Sequence, residues 1–176
     1  MPFYVYFISS LPMLHFGMKP PFSFEKFIAL AANFIPEADT EALKKCSING
    51  DYTYGQKYPD LKKWQDFDTA LRNELVRVRS SHKHIDGSKY LRDYEDLQLH
   101  LSHLALSSHR NPNILEAEKM LDEERWRALE ELSFGHYFDL DFLILYGLKL
   151  LLLERWERAH TADSHKVLAE VLEKAL

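Results

Sequence analysis

Between Phe142 and Leu153 twelve consecutive residues contain a single charged side chain, Lys149. Leu140, Leu143, Tyr146, Gly147 and Leu150 form one stripe at helical spacing, and Phe142, Ile144, Leu145, Leu148, Leu151, Leu152 and Leu153 fill most of the other faces. A helix that is apolar nearly all round has to be surrounded by protein or by lipid. Lipid is excluded by length, because a span needs about 20 apolar residues, whereas Lys149 interrupts this run and Asp139, Asp141, Arg155 and Arg158 bound it closely. The segment 139–158 therefore reads as a buried central helix. Asp139 suits its N-cap, Phe138 and Leu143 could close a hydrophobic staple, and the acidic start and basic end complement the macrodipole.

Shorter amphipathic helices supply the wrapping. Ser23 offers an N-cap to a helix carrying Phe24, Phe27, Ile28, Ala31 and Phe34, which Pro36 stops, and a short helix over about 37–46 follows. Trp64, Phe67, Leu71, Leu75 and Val78 recur at steps of three and four, which predicts a long helix over about 61–82. Gly87-Ser88 is expected to open a helix striped by Tyr90, Tyr94, Leu97, Leu101 and Leu104. Asn111-Pro112-Asn113 should cap a helix over about 114–133 with Leu115, Ala117, Leu121, Ala128, Leu129 and Leu132 inward and Gly135 at its exit. Asp163 or Ser164 caps a last helix through Val167, Leu168, Val171 and Leu172. Phe3 to Ile8 fits either a strand or a first helical turn. The expected fold is all-α, a single domain over 1–176 with about six to seven helices around the segment 139–158, and an irregular apolar arm, 1–22, packed on it.

Totals narrow the function. One domain of 176 residues can bury a real core, and 46% hydrophobic with 28% charged residues is ordinary globular composition. A net charge of -5 argues against nucleic acid as the main partner. The single cysteine, Cys46, excludes an intramolecular disulfide framework and fits a reducing, cytoplasmic setting, and no cleaved leader or direct membrane span is expected.

Candidate sites are few. Leu11, Met13, Leu14 and Phe16 in the arm either seal the core or present a partner interface. Tyr52, Tyr54 and Tyr58 could be a recognition surface or could pack on a neighbouring helix. Arg72, Arg77, Arg79 and Lys83 form a basic cluster, but Asp66, Asp68 and Glu74 interleave with it, so a solvated face with an Asp68 to Arg72 i,i+4 pair is the expectation. Asp93, Asp96, His100 and His103 share a helix flank, of which Asp96, His100 and His103 are weak candidates for a metal. The Glu-Arg-Trp triplet at 124–126 recurs at 154–156, with flanks that disagree. Phosphate loops, cysteine pairs and nucleophile elbows are absent from the sequence, Cys46 has no local cue for an activated thiolate, and Lys149 calls for an ion pair or a snorkelling stem before a catalytic role. No cofactor and no enzymatic activity are expected.

Two blocks carry a resemblance. Tyr6 to Leu14 with Phe16-Gly17 and Pro20-Pro21-Phe22-Ser23, and Asn111-Pro112, Glu116-Ala117-Glu118, Leu121, Arg125-Trp126, Gly135 to Asp141, Tyr146 to Leu150 and Leu153 to Trp156, are similar to a bacterial family of unknown function encoded in V/A-type ATP synthase operons. The resemblance implies a shortened or diverged counterpart of the V-type ATPase socket, the all-helical protein that joins the central rotor shaft to the membrane ring. Its partners would be protein subunits of a rotary ATPase. On that footing the expectation is a non-enzymatic structural protein associated with the ATPase. A helical chaperone holding an apolar peptide, or a metal-binding enzyme using Asp96, His100 and His103, are the alternatives.

Overall fold

The computed structural model describes residues 3–49, 58–93 and 100–161. Among them the chain forms seven α-helices and no strand: α1 Tyr4–Ser10, α2 Phe24–Ala31, α3 Glu37–Lys44, α4 Pro59–Lys83, α5 His100–Arg110, α6 Ile114–Leu132 and α7 Leu140–Thr161. Phe3 to Ile8, compatible in sequence with strand or helix, is helical from Tyr4 onward. Tyr52, Tyr54, Asp96 and the helix expected through Val167 to Leu172 lie outside the described residues.

The central helix is α7. Leu143, Ile144, Leu145, Leu148, Leu150, Leu152 and Leu153 are all within 1% of complete burial, and α2, α3, α4 and α6 pack against it. Asp139 caps it, accepting a hydrogen bond from the Phe142 amide at 2.9 Å. Phe138, just before the cap, remains 52% exposed. Gly147 lets α2 come close: a Cβ there would lie 3.1 Å from Phe24 Cε2 and 3.4 Å from Phe27 Cε1. No helix among the described residues is long and apolar enough to cross a membrane.

Two other caps follow the sequence. Ser23 Oγ accepts from Lys26 N at 3.2 Å, and Asn113 Oδ1 accepts from Leu115 N and Glu116 N at 3.0 and 3.3 Å. After α6 the chain reverses through Gly135 at φ 93°, a left-handed conformation that glycine adopts without steric cost.

Three expectations fail. Gly87-Ser88 does not open a long helix; Ser88–Tyr90 is one 3-10 turn, and Leu91 is extended. The cause is Asn73 on α4, whose amide donates to the Arg92 carbonyl at 2.7 Å and accepts from the Arg92 amide at 3.0 Å. With both backbone groups of Arg92 bound to another helix, they are withdrawn from an i to i−4 ladder there. Asp93 is accordingly not on the helix that carries His100 and His103. Leu115 does not point inward but is 56% exposed in the first turn of α6. Finally, Asp68 is not on a solvated face; it is fully buried.

The arm crosses the bundle and is tied to α7. The Tyr146 hydroxyl donates to the Pro12 carbonyl at 2.9 Å, the Phe24 amide donates to Glu154 Oε1 at 2.8 Å, and Lys19 Nζ lies 3.2 Å from Glu157 Oε1. Leu14 is buried, while Leu11 and Phe16 are partly buried against the core. Phe16 lies edge-on to two rings, Trp126 at 5.6 Å and Trp156 at 6.5 Å between centroids.

Candidate functional site

The most constructed polar region starts from two residues that a helical core would ordinarily exclude. Asp68 on α4 and Asp122 on α6 are both fully buried, and Arg125, one turn after Asp122, is 5% exposed. Buried charges persist only when paired and hydrogen-bonded. Here Arg125 Nε donates to Asp68 Oδ1 at 2.8 Å and its Nη1 to Asp122 Oδ1 at 2.8 Å. Arg72 Nε donates to Asp68 Oδ2 at 2.6 Å, and its Nη2 reaches the Ile48 carbonyl at 2.8 Å. From α7, Arg155 donates to Asp122 at 3.2 Å and to Glu118 at 2.6 Å, and Trp156 Nε1 donates to Asp122 Oδ2 at 3.0 Å. One chain of charges thus fastens α4, α6, α7 and the segment after α3. Burial works against the charge on Arg125, but the Asp68 and Asp122 carboxylates outweigh it and hold its pKa above the ordinary arginine value.

Above this network opens a cavity of about 350 Å³ whose wall includes Arg72, Arg79, Arg92, Glu118, Arg125 and Arg155. Arg79 makes no ion pair or hydrogen bond among the described residues.

A second conspicuous surface is the turn between α6 and α7. Phe134 is 85%, Tyr137 62% and Phe138 52% exposed, yet the turn that carries them is hydrogen-bonded. Ser133 Oγ donates to the Leu129 carbonyl, the His136 amide donates to the Ser133 carbonyl at 3.2 Å, and His136 Nδ1 lies 2.7 Å from Asp139 Oδ2. His136, Asp139 and Asp141 each bring one possible metal-ligand atom within 4.8 Å of the others. Asp139 already caps α7 through its other oxygen, so helix capping accounts for that grouping.

The expected site residues scatter. His100 is exposed, with Nε2 3.2 Å from Glu124 Oε1, and His103 is exposed on the same helix. Met13 is the exposed member of the arm quartet at 77%. Tyr58, at the N-terminus of α4, is partly buried against the core. Lys149 is partly buried; burial lowers its pKa, with the Glu130 carboxylate opposing, and its Nζ sits 5.5 Å above the Trp126 ring, which is a snorkelling stem with a cation–π contact.

Cys46 is buried, and burial pushes its thiol from 9.0 up to about 12. A raised folded-state value means the neutral thiol supports the fold below pH 9.0, a contribution lost as pH climbs toward 12. The expected result is no reaction with an aromatic disulfide reagent at pH 8 in the native state and stoichiometric reaction in denaturant. Rapid native labelling at pH 8 would contradict the burial.

Asp122 and Arg125 carry no obvious mark of a site in the sequence. The signal that could have found Arg125 is the recurring Glu-Arg-Trp triplet: Arg125 and Arg155 both bond Asp122, and Trp126 and Trp156 both flank Phe16.

Comparison with known proteins gives one family. The family model described as Protein of unknown function (DUF2764) matches residues 51–175. No curated protein and no solved structure matches the chain.

Proposed function

The chain belongs to DUF2764, a family of proteins of unknown function, and from that premise we propose that it is a non-enzymatic, cytoplasmic interaction protein of a V/A-type ATPase. Its task there would be structural, coupling the rotor shaft to the membrane ring. The sequence support is the resemblance of its two blocks to the proteins of V/A-type ATP synthase operons. The single structural observation that carries the reading is the hydrogen-bonded aromatic turn, Phe134, Tyr137 and Phe138, which belongs in part to the second of those blocks. Large rings left mostly in water on a hydrogen-bonded turn contribute little to the core, whereas aromatic residues are enriched among the anchors of protein interfaces.

Tagged protein expressed at its native level should bring down the ATPase subunits. A Phe134→Ala, Tyr137→Ala, Phe138→Ala triple variant should fold normally and recover them at least about tenfold less, since anchor residues each contribute about 2 kcal/mol or more. Intact, active ATPase in cells lacking the chain would overturn the proposal.

A second reading, a chaperone that holds an apolar peptide, draws on a groove of about 270 Å³ beside the arm, between Phe16, Met18, Leu115 and Trp156. Under that reading the ATPase proteins would co-purify from assembling cells but not with the finished ATPase.

A further inference from the structure

In a chain of net charge -5, five guanidinium groups converge on one cavity of about 350 Å³, opposed by Glu118 at the wall and by Asp68 and Asp122 behind it. Three of the five, Arg72, Arg125 and Arg155, have a structural task in holding the buried carboxylates. Arg79 has none: it makes no ion pair or hydrogen bond among the described residues. It stands seven residues after Arg72, on the same face of α4 about two turns along, where like charges repel rather than stabilise.

Arg125 carries the second observation. Its Nε and Nη1 are engaged by Asp68 and Asp122, while Nη2 makes no hydrogen bond among the described residues and belongs to a side chain that lines the cavity. A guanidinium edge left open on a cavity wall is available to an acceptor that enters that space.

We infer that this cavity binds a phosphate group of a small molecule, a mono- or diphosphate. A guanidinium fork matches phosphate oxygens in geometry and charge. A carboxylate offers one negative charge and two oxygens on one side. A phosphate offers about two charges at neutral pH and three acceptor oxygens, enough to meet Arg79 at the rim and Arg125 Nη2 at the floor together. The aliphatic side chains of Leu75 and Leu121 line the same cavity and leave room for the carbon body of an ester. Glu118, held by Arg155 at 2.6 Å, is the group an entering anion has to tolerate. The inference is independent of the ATPase reading.

The test is calorimetric titration of the full chain, in phosphate-free buffer of low chloride, with inorganic phosphate and inorganic diphosphate. One saturable site is expected, tighter for diphosphate. Arg79→Ala, which removes no structural bond, should weaken diphosphate at least about tenfold with unchanged melting, and Glu118→Gln, which keeps an acceptor for Arg155, should tighten it severalfold by removing a competing charge, the fraction folded being checked by melting at the titration temperature. A merely structural role for these residues gives no such pair of opposite shifts. Absence of saturable binding of either anion to the folded chain overturns the inference, as does wild-type affinity in both variants. Flotation with phosphatidate vesicles separates the lipid source: capture by vesicles without binding of the free anions overturns the small-molecule assignment.

Discussion

Replacing Arg125 by methionine is expected to lower the unfolding free energy by about 3–5 kcal/mol, the cost of removing one partner from a buried ionic group. The substitution keeps much of the length of the side chain and leaves two carboxylates, Asp68 and Asp122, with no exposed surface. Asp68 retains Arg72, and Asp122 retains Arg155 and the Trp156 indole, but Asp68 loses the bond that joins α4 to α6 and Asp122 loses its partner one turn along α6. Against a total of about 5–15 kcal/mol for a domain of this kind, the variant sits near its threshold at 25 °C. Urea denaturation followed by far-ultraviolet circular dichroism reads the change as a lower midpoint with a similar slope. A loss under about 1 kcal/mol, the range of an exposed pair, would mean the network is solvated in solution and would remove the basis for treating Arg125 as the floor of an anion site.

The second large effect belongs to α7. Leu148→Ala should cost about 2–5 kcal/mol, because the lost transfer free energy of the side chain adds to that of the cavity it leaves. Leu148 is completely buried, with α2, α3, α4 and α6 packed around its helix, so no neighbour can collapse inward without breaking its own contacts. Leu151→Ala, three residues on and partly buried, is the control and should cost clearly less. Equal effects at the two positions in the same urea titration would contradict a helix enclosed on that side.

Most of the fold was legible because its determinants are local. The stripes on α4 and α6, the caps at Ser23, Asn113 and Asp139, and the glycine exit at 135 each depend on residues within a few positions of one another. The failures share a different cause. Residues 88–93 read as the start of a helix until Asn73, 19 residues away from Arg92, takes both of its backbone groups. Leu115 matches the apolar stripe of α6 yet precedes the part of that helix that other helices cover. Asp68 next to Arg72 looks like a surface pair, and the i,i+4 bond is indeed present; what burial adds is Arg125, 57 residues further on.

The candidate site was less legible than the fold for the same reason. Arg72 and Arg79 were visible as part of a basic cluster, but Arg77 of that cluster pairs with Glu74 on the exposed side, and nothing in α4 alone distinguishes the two directions. Arg92, Arg125 and Arg155 reach the cavity from three other segments. Likewise, the aromatic residues of the 134–138 turn could have been core or surface until the helices on either side were placed.

By itself the sequence determined that this chain would be a helical bundle wrapped around 139–158, because an apolar run with one charge cannot remain in water and its period and length leave few ways to cover it. Only the tertiary structure decided which charges are buried and which arginines share a cavity. A charged helical face has the same pattern whether it meets water or a complementary face, and the partner that decides between them is supplied by a distant segment.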